Sequence, residues 1–254
     1  MSGHSKWATI KHRKGAVDKA RGKLFARLIR QVEVAAREGG ADMTSNSSLR
    51  SMFTKARDAS VPIDTIERAI KRGTGELEGV RYESVSYEGY GPLGVAFLVE
   101  CLTDNRNRTG AEIRACFSRS GGSMAEPGAV AWQFERKGLV LVPKTRGQSS
   151  IGEDEVLVVA LEAGADDLSG DGDTWELTCE PGQLARLRTA LEEAGMVPES
   201  AEAGMVPTTT VPLANESDAR RVLRLIDAME DHDDVQNVYA NFDIPDAVLE
   251  LVEA

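Results

Sequence analysis

The chain has 254 residues, a formal net charge of −11 and a hydrophobic content of 41%, which suffice for two or three packed domains. No window approaches the roughly 18 consecutive apolar residues of a membrane helix, and no apolar secretion signal begins the chain, so we expect a cytoplasmic protein. The cysteines, Cys101, Cys116 and Cys179, are widely spaced, which argues against a disulfide framework and a zinc site.

Charge is distributed unevenly along the chain. Residues 1–72 carry 16 basic and 7 acidic side chains, whereas residues 147–254 carry 5 basic and 25 acidic ones. The basic excess is strongest in residues 1–30, the cationic segment, which has nine Lys or Arg residues and one acid, Asp18. A cationic segment on an acidic chain predicts a polyanionic partner, and nucleic acid is the first candidate.

Residues 2–16 of the cationic segment have no sustained periodicity and are punctuated by Gly3 and Gly15, so we expect them to become ordered on a partner. Trp7 has two open interpretations: it stacks on a base, or it anchors the segment to its own helix. The predicted nucleic-acid-binding residues in this part are Lys6, Trp7, Lys11, His12, Arg13 and Lys14.

A helix is predicted from Ala16 to about Arg37. At about 100° per residue, Lys19, Lys23, Arg27 and Arg30 fall within an arc of about 80° and form a cationic stripe. Apolar residues fill the opposite side. Such a stripe is either a solvated face or a continuation of the nucleic-acid surface, and we favour the second interpretation. The predicted binding residues here are Lys19, Arg21, Lys23, Arg27 and Arg30. Two more helices, near 47–59 and 64–73, complete a small bundle predicted for residues 1–77.

The hydrophobic period changes to two after Leu77, which predicts strands at 84–88 and 95–102. The loop between them has the spacing GxGxxG, but a strand follows it, so we predict a hairpin and no nucleotide site. A helix is then predicted to begin at Thr109. Arg106 and Arg108 would lie just ahead of its free N–H groups, where they either form a phosphate or carboxylate pocket or brace a loop against an acid.

Residues 137–207 predict two strand–helix–strand units in the order βαββαβ, which is typical of a ferredoxin-like domain. A strand at 208–213, a helix and a last strand follow, and we expect them to complete the sheet begun at Tyr82. We therefore predict a discontinuous middle domain of residues 78–136 with 208–254. The predicted fold class is α+β, with a small N-terminal helical bundle followed by two α+β (ferredoxin-like) domains.

Motifs for catalysis are absent from the sequence. The only histidines are His4, His12 and His232, and no nucleophile elbow, zinc-protease motif or phosphate loop occurs. The adjacent acids Asp233 and Asp234 are interpreted as solvated loop charges. The sequence predicts no enzyme, no metal and no cofactor.

Several long motifs in residues 2–138 resemble those of the YebC/PmpR family. One departure is Met43, where the family pattern has proline after the aspartate. The motifs are Gly3-His-Ser-Lys-Trp-Ala-Thr-Ile-Lys-His-Arg-Lys14, Arg21-Gly-Lys-Leu-Phe25, Ile66-Glu-Arg-Ala-Ile-Lys-Arg-Gly73, Tyr87-Glu-Gly-Tyr-Gly-Pro92, Leu102-Thr-Asp-Asn-Arg-Asn-Arg108 and Val130-Ala-Trp-Gln-Phe134.

The resemblance implies a three-domain cytoplasmic regulator of gene expression. Bacterial members are described as DNA-binding transcriptional regulators, the similar mitochondrial protein activates translation of cytochrome c oxidase, and some bacterial relatives resemble ribosome-associated factors that relieve stalled peptide synthesis. Two hypotheses therefore stay open. Duplex DNA agrees with the family description, and ribosomal RNA agrees with a cationic segment that carries one Trp. A small-molecule-sensing role is a weaker third, because fold analogy alone supports it.

Overall fold

The computed structural model describes residues 19–146, 149–171 and 173–253. These residues divide into two compact units: unit 1 holds 130–219 and 239–253, and unit 2 holds 19–129 and 220–238. In chain order the helices are α1 (Lys19–Gly39), α2 (Ser47–Asp58), α3 (Ile63–Gly73), α4 (Arg106–Arg119), α5 (Glu153–Ala163), α6 (Leu184–Glu193), α7 (Glu216–Glu230) and α8 (Asp246–Glu253).

The strands are short, and most of them join one of two four-stranded sheets. In chain order they are β1 (Glu83–Tyr90), β2 (Ala96–Thr103), β3 (Ser123–Ala125), β4 (Phe134–Pro143), β5 (Thr145–Arg146), β6 (Ser149–Ser150), β7 (Ala165–Asp171), β8 (Thr174–Cys179), β9 (Ser200–Pro207), β10 (Val211–Pro212), β11 (Val235–Ala240) and β12 (Phe242–Asp243).

The first part of unit 2 is the predicted bundle of α1, α2 and α3. Its core comes from the apolar face of each helix and includes Leu28, Val32, Leu49 and Ile66, all at most 3% exposed. A Cβ atom on Gly73 would lie 2.4 Å from the backbone oxygen of Glu33. The end of α3 can therefore approach α1 this closely only because the residue is glycine.

The sheet of unit 2 has the strand order β11-β2-β1-β3, and β1 and β2 form the predicted hairpin. Helix α4 packs against the sheet through Ile113 and Phe117. The Phe117 ring meets that of Phe97 on β2 edge-to-face, with 6.0 Å between centroids. Helix α7 contributes Leu225, which is fully buried near the same ring. Both helices thus share the apolar core beside β2.

Unit 1 contains the predicted βαββαβ run from β4 to β9. The strand order is β7-β8-β4-β9, and every neighbouring pair is antiparallel. The core combines Val140 and Val142 of β4 with Val156 of α5 and Leu187 and Leu191 of α6, all fully buried. The predicted α+β class, with N-terminal helices followed by sheet domains, is confirmed.

One predicted strand pairs elsewhere. The segment 208–213 was expected to join the sheet begun at Tyr82, but only β10 is extended, and it pairs in parallel with β12 in a separate two-stranded sheet. The segment pairs there because the N–H groups of Val211 and Leu213 donate to the carbonyls of Asn241 and Asp243. Strand β11 does join the expected sheet, at its edge beside β2. The domain division into 1–77, 78–136 with 208–254, and 137–207 stays a prediction.

Candidate nucleic-acid interface

The predicted binding residues fall into two groups. Lys6, Trp7, Lys11, His12, Arg13 and Lys14 lie outside the described residues. Lys19 and Arg21 lie in the first turn of α1, and Lys23, Arg27 and Arg30 follow along the same helix. The geometry of the interface therefore begins at Lys23, and the role predicted for the earlier residues stays a prediction.

Lys23, Arg27 and Arg30 contact the segment that ends α7. Lys23 Nζ donates to the carbonyl of Asp231 at 2.9 Å and to its carboxylate at 2.7 Å. Arg27 donates to the carbonyl of Glu230. Arg30 donates to the carbonyl of Asp233 at 2.7 Å, and its guanidinium lies 5.4 Å from the centroid of the Tyr82 ring. The cationic stripe of α1 thus binds the end of another helix of the same unit.

Helix-end chemistry explains this contact. The last carbonyls of a helix have no partner within the helix, and its C-terminus carries partial negative charge. Helix α7 has no basic residue in its own last turn, so α1 supplies the cations. Burial lowers the pKa of Arg27, while the nearby carboxylates of Asp233 and Asp231 oppose that shift. Arg27 therefore keeps its charge next to acids that favour the charged form.

A cavity of about 200 Å³ adjoins this contact. Its lining includes three cations and one acid, and the small residues leave it open. Asp231, Asp233 and Asp234 lie against these cations, so the acids at the contact equal the three cations in number and the cavity has no excess of positive charge. The lining residues are Gly22, Lys23, Ala26, Arg27, Arg30 and Asp233.

Asp234 is the acid at the centre of the neighbouring contacts. It is 5% exposed, and its carboxylate accepts hydrogen bonds from Thr109 at 2.7 Å, Arg108 at 3.0 Å and Arg30 at 3.2 Å. Burial alone would raise the pKa of Asp234, but the hydrogen bonds from Thr109 and Arg108, with the charge of Arg108, lower it overall. The interpretation of Asp234 as a solvated loop charge was wrong, because its donors come from distant parts of the chain.

The predicted anion pocket at Arg106 and Arg108 has a different geometry. Helix α4 begins at Arg106 and not at Thr109, since Asn105 caps it by accepting the N–H of Arg108 at 3.1 Å. The Arg108 guanidinium pairs with Asp104 at 2.8 Å as well as with Asp234. Arg106 is exposed, and its carbonyl accepts the hydroxyl of Tyr87 at 3.0 Å. Arg108 thus braces α4 against acids, and an anion site at these arginines stays a prediction.

Sequence reasoning missed Asp231 and Asp234 as partners of the cationic stripe. A signal was present: four acids, Glu230, Asp231, Asp233 and Asp234, follow the amphipathic pattern of α7 at the point where a helix end needs cations. Which cations meet them depends on contacts between residues more than 200 positions apart, which no local pattern contains.

The three cysteines lie within the described residues and are poorly suited to nucleophilic chemistry. Burial raises the pKa of Cys101 to about 12, and burial also raises the pKa of Cys116 and that of Cys179. These thiols are therefore poor nucleophiles at neutral pH. Within residues 19–146, 149–171 and 173–253, no three His, Cys, Asp or Glu side chains are grouped as metal ligands, and no helix is long and apolar enough to cross a membrane.

Two family models together match most of the chain. Residues 5–76 match the TACO1/YebC protein N-terminal domain, and residues 82–242 match the TACO1/YebC second and third domain. The first match contains the cationic stripe of α1. The second contains the α7 end and Asp234, so both sides of the contact lie in matched regions.

Relatives of similar length are named "Probable transcriptional regulatory protein". One from Acidothermus cellulolyticus is 57% identical over 250 residues, covering 98% of this chain and 99% of the relative. One from Thermobifida fusca is 54% identical over 250 residues, covering 98% of each. The crystal structure of the conserved hypothetical protein Aq1575 from Aquifex aeolicus has a TM-score of 0.84 at 44% identity, covering 94% of this chain and 97% of that one.

Proposed function

This chain belongs to the TACO1/YebC family, and on that premise we propose that it is a cytoplasmic DNA-binding regulator of transcription. The observation that carries the proposal is the cationic segment, in which nine Lys or Arg residues stand against one acid in a chain of net charge −11. The name of the relatives supports transcription as the process that this chain regulates. The proposed ligand is the phosphate backbone of duplex DNA, and the proposal involves no catalysis and no cofactor.

The proposed mechanism is electrostatic. Each Lys or Arg that neutralises a phosphate releases condensed counterions, which makes the affinity favourable and dependent on salt. Lys23, Arg27 and Arg30 hold α1 against the end of α7.

A competition experiment tests the choice of nucleic acid. A labelled 30-bp duplex is first bound to the full chain. Unlabelled duplex or purified ribosomes are then added as competitors, and the concentrations that displace the label are compared per mole of nucleotide. We expect the duplex to displace the label at the lower concentration, because the proposed interface fits regularly spaced phosphates.

Displacement by ribosomes at a much lower nucleotide concentration would overturn the transcriptional proposal. That outcome would favour a ribosome-associated translation factor that binds ribosomal RNA. Absence of any binding to either competitor would remove nucleic acid as the partner altogether. A matched control with an excess of unrelated duplex measures how much of the binding depends on sequence.

A further inference from the structure

The C-terminal part of the chain concentrates its few cations in one place. Residues 147–254 contain only 5 basic side chains against 25 acidic ones, yet three of the five are Arg220, Arg221 and Arg224 on α7. These arginines belong to unit 2, together with the bundle and α4. The acidic part of the sequence thus places a basic patch on the unit that also carries the cationic stripe.

Helices α4 and α7 lie side by side and run in opposite directions. Glu112 Oε2 lies 2.6 Å from His232 Nε2, and Cys116 Sγ lies 3.9 Å from the carbonyl of Ala228. At the other end, a Cβ atom on Gly121 would lie 4.0 Å from the guanidinium of Arg221. Residue numbers rise on α4 as they fall on α7, so the last turn of α4 adjoins the first half of α7.

The last turn of α4 and the first half of α7 both carry exposed arginines. Arg119 lies two residues before Gly121, and Gly121 is the residue near the Arg221 guanidinium. Arg220 and Arg224 are four residues apart on α7, a like-charge spacing that slightly destabilises a helix. Glu216 and Asp218 precede the arginines on α7, and Asp227 follows them. The arginine cluster consists of Arg119, Arg220, Arg221 and Arg224.

The chemistry of the surface identifies the kind of partner. A protein-docking surface has an apolar centre, but across 106–119 and 216–230 of the described chain no large apolar side chain is exposed. The surface offers guanidinium groups, which bind phosphate oxygens through two parallel hydrogen bonds. A phosphodiester backbone therefore fits the cluster better than a protein does.

We propose that the arginine cluster is a second phosphate-binding surface for the nucleic acid bound by the cationic segment, an inference that rests on the proposed function. Helix α7 connects the two surfaces, since Lys23 contacts Asp231 just beyond its C-terminus and the cluster occupies its first half. From Arg221 to Asp231 the helix axis rises about 15 Å, which corresponds to about four phosphates along one strand. This distance is shorter than one turn of duplex, about 34 Å, so one duplex is long enough to reach both surfaces.

The test is the salt dependence of duplex binding by a variant of the full chain with Arg119→Gln, Arg221→Gln and Arg224→Gln. Glutamine keeps the polar stem and removes the charge. We expect the slope of log K against log salt to become flatter by about 2 to 3, and Kd at about 0.1 M salt to rise at least tenfold. The control is Arg136→Gln, Arg146→Gln and Arg186→Gln, three exposed arginines of unit 1 with the same change in charge, which should leave the slope unchanged.

A slope equal to that of the control would overturn the second surface. If the triple glutamine variant unfolds, the single variants Arg119→Gln, Arg221→Gln and Arg224→Gln replace it, and each should flatten the slope by about 1. The outcome also separates the two proposals. If the wild-type chain does not bind duplex at all, the proposed function fails. If the wild-type chain binds duplex and the cluster variant has the same salt slope as the wild type, the second surface fails while the proposed function stands.

Discussion

Replacing Asp234 by Asn is expected to lower the free energy of unfolding by about 2–3 kcal/mol, because the change removes the negative charge that two arginines and a threonine share in a buried site. Arg108 and Arg30 are partly exposed, so water offsets part of the loss, and the expected value lies below that of a fully buried pair. Thermal denaturation should report a fall in melting temperature of roughly 5 °C.

The matched control for this variant is Asp104→Asn. Asp104 pairs with the same Arg108 at 2.8 Å, but its side chain is 44% exposed against 7% for Asp234. We expect a loss of no more than about 0.5 kcal/mol for the exposed carboxylate. Equal melting temperatures for the two variants would show that burial of Asp234 has no energetic role.

The stability difference between the wild type and the Asp234→Asn variant should depend on pH. Because the folded-state pKa of Asp234 is lowered, its contribution to stability is complete at neutral pH and is lost as the pH falls through the folded-state value. The difference in unfolding free energy between wild type and Asp234→Asn should therefore be constant from pH 7 to about 5. It should shrink below about pH 4. A difference that grows on acidification would contradict the assignment.

Replacing Glu33 by Gln is the second change with a large expected effect. Glu33 is buried between α1 and α3, with its carboxylate 2.8 Å from Arg72 Nε and 3.2 Å from Arg37 Nη2. The neutral side chain leaves two guanidinium groups without their counter-charge, and we expect a loss of about 2–3 kcal/mol of unfolding free energy. Chemical denaturation monitored by far-ultraviolet circular dichroism measures it, since the bundle is helical.

An exposed glutamate on the same helix supplies the comparison. Glu38→Gln makes the same chemical change five residues further along α1, where the side chain faces solvent. Its denaturation midpoint should match that of wild type within error, whereas the Glu33 variant should unfold at a clearly lower denaturant concentration. Coincident curves for all three proteins would mean that the buried pair does not hold the bundle together.

Much of the fold could be predicted because it depends on local patterns. The period of two and the period of 3.6 alternate through residues 137–207, and they predict β4, α5, β7, β8, α6 and β9 in the observed order. The bundle follows from the apolar faces of α1, α2 and α3. The predicted cap of α4, Thr109, lies four residues after the observed cap, Asn105, because both residues are suitable caps and only the fold decides between them.

The contacts of the site could not be predicted in the same way. The donors to Asp234 from Arg108 and Thr109 lie 126 and 125 residues away along the chain, and the contact from Lys23 to Asp231 spans 208 residues. A stripe of cations at helical spacing is compatible with solvent, with nucleic acid or with another helix end. Only the fold brings α7 to α1 and sets Gly121, just beyond α4, near Arg221.

The most direct test of the central claim is the salt dependence of duplex DNA binding for the wild-type chain and for a variant with Lys11→Ala, Arg13→Ala and Lys14→Ala. If these cations contact phosphates, the slope of log K against log salt should become flatter by about 2 to 3 while the melting temperature stays nearly unchanged. An unchanged slope, or a large loss of thermal stability, would contradict the claim that the cationic segment binds the nucleic-acid backbone.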